Sequence, residues 1–336
     1  MDKILTVVIP AYNVEKFLHH TLDSFIEPSI MSDIEILIVD DGSKDHTAEI
    51  GKQYEERYPS TFRLISKENG GHGSTINVGV REAAGKYFKV VDGDDWVNTS
   101  GFVQMLQALK SCDSDFVFTN YYKYYDDVDR KEPVTYDYLE AGKEYNFADV
   151  CNREILQMHA LTIKTSILKN NNIMLDEHCF YVDAEYIVFP VPYVHTITFF
   201  DCFVYMYRLA LDTQSVSISG FQKHVNDHLR VCCHLLEFAK AYKASENAVP
   251  AYVQYIEKRA AELICTQSTI YSSFPWDDQK IIADFKAFDE KAKSLNADVY
   301  ALSNQLSKKL LLLRKTNFKF YKLIQKMSAN ANANRA

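Results

Sequence analysis

Val90-Val91-Asp92-Gly93-Asp94-Asp95-Trp96 joins the end of an apolar run to three carboxylates packed into four positions. The stretch from Tyr87 to Val91 reads as a buried strand. Like charges crowded at the end of a buried strand are costly unless something compensates them. A divalent cation does so. Hard oxygen ligands with no soft donor beside them favour Mg²⁺ or Mn²⁺ over Zn²⁺. Mg²⁺ is commonly held by one or two carboxylates together with substrate phosphates, so the stretch points to a metal-bridged phosphorylated substrate. An acidic surface turn fits the same seven residues.

The residues upstream decide between these readings. Ile4 to Ile9 is an apolar run that breaks at Pro10-Ala11-Tyr12-Asn13. Ile34 to Val39 is a second, ending in Asp40-Asp41-Gly42-Ser43, and Arg63 to Ser66 a third, followed by Asn69-Gly70-Gly71-His72-Gly73-Ser74. Helical spacing fills the gaps over Val14 to Phe25, Lys44 to Tyr58 and Ser74 to Ala84, with Ser74 as an N-cap. Strand and helix alternating in this way predict a parallel α/β sheet, in which ligands bind at the carboxyl ends of the strands. The polar, Gly-rich and acidic tips of all four strands therefore share one edge.

Four motifs in order carry a resemblance: Thr6 to Leu18 (TVVIPAYNVEKFL), Ile36 to Thr47 (ILIVDDGSKDHT), Glu68 to Tyr87 (ENGGHGSTINVGVREAAGKY) and Val91 to Trp96 (VDGDDW). Over roughly the first 100 residues the chain resembles a family 2 inverting glycosyltransferase of the GT-A fold, of the bacterial kind that builds cell-surface polysaccharide or teichoic acid. The resemblance thins after Tyr121. It implies a Rossmann-like α/β nucleotide-diphospho-sugar transferase domain, expected over residues 1–218. A C-terminal α-helical extension is expected over 219–327 and a disordered tail over 328–336.

The resemblance assigns roles. Pro10, Ala11, Tyr12 and Asn13, with Glu15 of the same motif, would face the donor nucleoside. Asp41 would accept the imide N–H of a uracil, and Asp40 would stand on the ribose side or serve the turn. Asn69, Gly70 and Gly71 would let the donor approach the backbone, and Asn77 belongs to the same motif. In the D-x-D element Asp92 would face the ribose or sugar and share the metal, and Gly93 would tighten the turn. Asp94 would be the direct ligand of Mn²⁺ or Mg²⁺, with Asp95 helping from behind the ligands or through water. The general base falls to Asp183, in Phe180 to Tyr186, with Glu185 as the fallback base or as a group that orients Asp183. Val182 stands where the family commonly has a glutamate, and Tyr186 where it has an apolar residue. Arg208 would clamp phosphate through its planar fork, the plain alternative being a salt bridge. His72 is a loop histidine open to either reading. His224 and His228 have the spacing of helical metal ligands.

Composition sets bounds. The net charge of −8 argues against nucleic acid as a partner. Seven scattered cysteines without a C-x-x-C read as reduced thiols. Asp2, Lys3 and Pro10 interrupt any N-terminal apolar leader, and no apolar stretch reaches the length of a membrane span. The expected location is cytoplasmic. Eight basic residues and no acid follow Asp298. Leu302, Leu306, Leu310, Leu313, Phe320, Ile324 and Met327 fall near one helical face. Residues 299–327 thus suggest either a helix lying on the anionic inner face of the membrane or an ordinary terminal helix packed on its own domain. Apolar recurrence predicts further helices at Gln222 to Tyr242, Ala251 to Tyr271 and Asp277 to Leu295. Tyr121 to Tyr138, with six tyrosines, reads as a loop open to an acceptor.

The expected reaction is metal-dependent, inverting transfer of a hexose or N-acetylhexosamine from a UDP-sugar. The acceptor would be a hydroxyl of a glycan, a polyol-phosphate (teichoic-acid-like) polymer or a lipid-linked molecule. A nucleotidyltransferase on the same fold and a non-catalytic sugar-binding or assembly protein remain alternatives. The first is disfavoured because Pro10 to Asn13 is not a basic Gly-rich loop. A nicotinamide oxidoreductase is disfavoured because no G-x-G-x-x-G follows the first strand.

Overall fold

The structure is a computed structural model that describes residues 3–154, 156–209, 217–275, 277–323 and 325. The chain divides into two compact units, Met1–Leu211 and Asp212–Ala336.

The first unit is built on one mixed sheet. β1 (Leu5–Ala11) is buried at every position and lies between β2 (Ile34–Asp40) and β4 (Tyr87–Val90), parallel to both. β3 (Phe62–Ser66) extends the parallel half beside β2. The connections are α1 (Glu15–Asp23), α2 (Thr47–Arg57) and α3 (His72–Glu82), so each strand ends at the same edge. The near-continuous apolar content of β1 and β2 follows from burial on both faces. Beyond β4 the sheet turns mixed, with β9 (Leu161–Lys164) antiparallel between β4 and β6 (Phe116–Tyr125). The long β10 (Thr196–Leu209) runs parallel to β6 and antiparallel to β5 (Trp96–Val97). β7 (Arg130–Val134) and β8 (Glu144–Asn146) pair with β6 and β10. α4 (Thr99–Leu109), α5 (Phe147–Val150), α6 (Thr165–Asn170) and α7 (Asp183–Val188) complete the unit.

Two local expectations change. The tyrosine-rich segment is a hairpin made by β6 and β7 rather than a loop. Its rings pack: Tyr122 stacks on Phe203 at 4.3 Å and Tyr136 is buried against Phe118. Ser74 is not a cap either, because α3 begins two residues earlier with Gly71 at the N-cap.

The second unit is helical: α8 (Ile218–Lys223), α9 (Val225–Lys243), α10 (Pro250–Tyr271), α11 (Gln279–Leu295), α12 (Ala297–Leu306) and α13 (Lys308–Lys315). Asp278, Asn296 and Ser307 cap the last three by accepting amide N–H groups at their starts. The Ser307 cap breaks the expected continuous basic helix in two. Leu310 and Leu313 are buried, and the Arg314 guanidinium bonds Asp289 at 2.8 Å and lies 3.6 Å over the Tyr300 ring. α13 therefore packs on its own unit through one face. His224 pairs with Asp227, and His228 is buried against Gln267 with Nδ1 2.6 Å from Oε1. The two imidazoles thus serve different local partners. All seven cysteines are free thiols. Among the described residues no helix is long and apolar enough to cross a membrane. Ile324 and residues 326–336, with the expected tail and Met327, lie outside the described residues.

Candidate active site

The tips of β1 and β2 are fastened to each other. Asn13 adopts a left-handed backbone (φ 54) and accepts the Lys44 amide through Oδ1 at 2.7 Å. Glu15 Oε2 accepts both the backbone N–H and the ring Nδ1 of His46, at 2.9 and 2.8 Å. The Pro10 carbonyl accepts from Gly93 N, and the Ala11 carbonyl from Asp41 N. Asn13 and Glu15, expected to face a nucleoside, instead spend their polar atoms joining two loops. Tyr12 is different, with 49% of its surface exposed. It lines a cavity of about 550 Å³ together with Asp40, Lys44, Ser66, Lys67 and Asn69.

Asp41 faces inward. Its carboxylate accepts from Lys67 Nζ at 2.6 Å and from the amides of Gly70 and Gly71 at 2.9 and 2.7 Å. Asn69 Nδ2 donates to the Asp41 carbonyl. The residue expected to read the base therefore shapes the Gly-rich turn, while the Asp40 side chain accepts Ser43 N through Oδ1, the one hydrogen bond of that carboxylate among the described residues, and borders the cavity.

The glycines of that turn make room for protein. Gly71 has φ +83, and a Cβ there would lie 3.1 Å from His178 N; one on Gly73 would lie 2.1 Å from the Asp176 carbonyl oxygen. His178 N donates to Gly70 O at 2.5 Å. Asn77 clamps the same segment, accepting from Leu175 N and donating to Leu175 O. Glu185 is fully buried and accepts the Asp176 amide at 2.7 Å. Asn77, Gly71 and Glu185 thus hold residues 175–179, the approach to α7. Tyr186 packs against Phe88, and its buried hydroxyl has no partner among the described residues. Asp183 opens α7, with Val182 at the cap position.

The acidic turn after β4 separates its carboxylates. Asp95 is buried and anchored, accepting from Tyr205 OH at 2.6 Å and Arg208 N at 2.7 Å. Burial and the neighbouring charges of Asp94 and Asp92 push its acid well up, and its two bonds anchor the turn. Arg208 donates to the Asp94 carbonyl and to Asp126, and its guanidinium lies 4.6 Å over Trp96 and 5.0 Å over Phe17. Held in this way it fixes the turn from behind, which corrects the expected phosphate clamp.

Asp92 meets His72, Nε2 to Oδ1 2.8 Å, and both side chains keep about a quarter of their surface open, 26% and 27%. Burial pushes the Asp92 acid up, but the charge and hydrogen bond of His72 outweigh it and hold the acid down. Burial lowers the imidazole, and Asp92, Asp183 and Asp94 raise it further than burial lowers it. Asp94 has no such partner. No side chain donates to its carboxylate among the described residues, and burial with Asp92 beside it pushes its acid up to about 6. The charge of Asp183 reaches His72 and Tyr207 along with those of Asp92 and Asp94, so groups from three distant segments lie within reach of one another's charge. The donor set is all hard oxygen and carries more negative charge than His72 balances. That chemistry fits Mg²⁺ or Mn²⁺.

Residues behind this cluster escaped the sequence reading. Tyr205 OH bridges the Asp92 amide and the Asp95 carboxylate. Lys89 is fully buried, donates to the carbonyls of His159 and Leu161, and is lowered to about 7 by that burial. His159 stacks on Tyr207 at 4.0 Å, and its buried Nδ1 has no partner among the described residues. A lone lysine inside the apolar strand Tyr87 to Val91 was the visible signal. His159 carried none.

Residues 6–171 match the family model described as Glycosyl transferase family 2. The uncharacterized glycosyltransferase EpsJ of Bacillus subtilis is 36% identical over 123 residues, covering 37% of this chain and 35% of that protein. The chain thus spans about a third of that relative's length. TarS 1-349 of S. aureus, solved in complex with UDP-GlcNAc, superposes with a TM-score of 0.66 at 18% identity, covering 98% of this chain and 92% of that one. The mannosyltransferase PcManGT of Pyrobaculum calidifontis, solved with GDP-Man and Mn2+, gives 0.53 at 17% identity, covering 98% and 85%. At these identities the two structures establish the shared fold, a GT-A-like α/β sheet with a helical C-terminal region. By the match over residues 6–171, this segment of the chain belongs to glycosyl transferase family 2.

Proposed function

We propose that this chain transfers a hexose or N-acetylhexosamine from a UDP-sugar to an acceptor hydroxyl with inversion at the sugar carbon. One observation carries the reading: the charges of Asp183, Asp92 and Asp94 all bear on His72, although Asp183 lies about ninety residues along the chain from the acidic turn. A carboxylate beside a carboxylate pair is the constellation that one-step displacement of a nucleoside diphosphate needs.

The chain's own groups divide the work. The ring of Tyr12 stacks on the base, and the free oxygen of Asp40 accepts its imide N–H. Asp92, held ionised by His72, hydrogen-bonds a ribose or sugar hydroxyl. Asp94, with Asp92, would hold Mg²⁺ or Mn²⁺, which supplies Lewis-acid stabilisation of the departing diphosphate. Asp183 takes the proton of the attacking hydroxyl. His159 stacks on Tyr207, a phenol that the charge of Asp183 also reaches, and holds that ring in place. The acceptor is a glycan, a polyol-phosphate polymer or a lipid-linked molecule. The UDP-GlcNAc in the TarS complex and the Mn2+ in the mannosyltransferase complex support the donor class and the metal.

The test is nucleoside diphosphate release from a panel of UDP-sugars, with GDP-mannose for comparison, in Mn²⁺ or Mg²⁺ and with EDTA. Slow metal-dependent hydrolysis of one UDP-sugar is expected. Pyrophosphate as the product would mark nucleotidyl transfer instead. A failure of UDP and metal together to stabilise the fold, with no release, would leave a non-catalytic role.

A further inference from the structure

We propose that α13 and the turn after it form a docking surface for an anionic lipid bilayer. Two sets of side chains emerge from this segment. Leu310, Leu313 and Tyr321 point inward, the last donating from its hydroxyl to the Tyr271 carbonyl at 2.7 Å. Arg314 points inward with them, to Asp289, Ser303 and Asn304. These anchors fix the segment and settle which face is left outside.

The outer face carries Lys308, Lys309, Leu312 and Lys315, at helical spacings of one, four and seven from the first. Asn317 and Phe318, with φ 48 and 62, then turn the chain. Lys319, Phe320, Lys322 and Leu323 follow, all exposed. Leu306, Leu312, Phe320 and Leu323 keep 44%, 41%, 47% and 51% of their surface open. They are four of the ten large apolar residues exposed among the described residues, and they lie within eighteen positions. No acidic residue interrupts these five lysines along the sequence, since none follows Asp298.

The pattern selects its occupant. A polyanion in water, such as a nucleic acid or a soluble polyol-phosphate chain, satisfies lysines but gives leucine and phenylalanine nothing. A neutral protein surface does the reverse. An anionic bilayer offers phosphates at the depth of the lysine heads and hydrocarbon just beneath for Leu312, Phe320 and Leu323. The surface lies on the helical unit and uses no residue of the candidate active site, so it stands apart from the reading of the activity.

The experiment is co-sedimentation of the full chain with phosphatidylglycerol-rich vesicles and with pure phosphatidylcholine vesicles. Soluble polyphosphate is offered separately. Binding to the anionic vesicles alone is expected. A Leu312→Ser/Phe320→Ser/Leu323→Ser variant, with charge unchanged, should lose about tenfold or more in partition. Lys308→Glu/Lys315→Glu/Lys319→Glu should abolish binding. Circular dichroism and the melting temperature check folding, and if the apolar variant unfolds, the charge variant decides. No binding to anionic vesicles overturns the proposal. So does equal binding to neutral ones, or retention of full binding by the apolar variant together with capture of polyphosphate, which would mark a plain polyanion contact.

Discussion

The tips of β1 and β2 and the turn after β4 carry much the same residue types, yet they solve the problem of polar groups in opposite ways. At the first pair, Asn13, Glu15 and Asp41 find amides, a histidine and a lysine within the loops themselves. At the second, Asp95 is bound from two sides while Asp94, next to it, has no side-chain donor among the described residues and is pushed up to about 6. A protein that can bind Asp95 so completely has the means to bind Asp94. Leaving the charge uncompensated places the demand for a cation at one spot. The satisfied tips give the loops their shape, and the unsatisfied turn gives them their use.

The sharpest way to break this contrast is to remove the unsatisfied group. Asp94→Asn should cut turnover on the order of 10³-fold or more, because the loss falls on stabilisation of the departing diphosphate. Asp183→Asn should lower kcat by a similar order while donor binding, read by calorimetry with UDP, stays within about twofold. Full-rate Asp183→Asn would remove it as the base.

The next effect concerns the surface on which the two regions meet. Gly73→Ala would put a Cβ 2.1 Å from the Asp176 carbonyl, a backbone atom with no rotamer to escape through. The approach to α7 must move, and Asp183 with it. A loss of roughly 2–4 kcal/mol in stability is expected, with a fall in kcat that exceeds the change in donor affinity. Thermal unfolding and steady-state kinetics read the two separately. An unchanged kcat would show that Asp183 is not positioned from this turn.

Substitution at the satisfied tips should do less. Asp41→Asn breaks the Lys67 pair and weakens two amide bonds, a cost of roughly 1–3 kcal/mol. It should loosen the donor site indirectly. Asp40→Asn should leave the melting temperature nearly unchanged and raise the donor Kd about tenfold, since an acceptor for the base is replaced in part by a donor. If Asp41 proves the stronger determinant of uracil over other bases, the division drawn here between shape and recognition fails at β2.

How far these features were legible depended on whether the cause was local. Alternating apolar runs and helical spacing marked β1 to β4 and α1 to α3, since each is dictated by its own residues. The helices of the second unit followed the same logic, with Pro250 opening α10. Asp92 and Asp94 stood out because crowded carboxylates are unusual anywhere. What was hidden came from contacts across the sequence. Gly71 and Gly73 look like a ligand cradle until residues 175–179 are seen to lie on them. Arg208 looks like a phosphate clamp until Trp96 and Phe17 take its faces. The break at Ser307 was written locally, as a capping serine, but a run of apolar residues on one face argued for continuity and hid it.

The smallest effect tests whether a satisfied buried group behaves as quietly in the helical unit as at the strand tips. His228 is buried against Gln267, and burial, with the charge of Arg259 adding to it, lowers the imidazole to about 4. Between about 4 and the ordinary value near 6.5, the unfolded chain takes up a proton that the folded chain refuses. Stability therefore falls as pH drops through that window, is unaffected by this group above it, and loses nothing more below it. The full shift corresponds to roughly 3–4 kcal/mol. Urea unfolding followed above and within the window should show the loss, and His228→Gln, which cannot titrate, should show a shallower slope. His159 in the first unit, also lowered to about 4, contributes in the same direction. The His228→Gln slope should therefore be reduced rather than flat. An identical slope in the variant would mean that the helical unit opens locally and protonates His228 without unfolding, which would make the second unit the softer of the two.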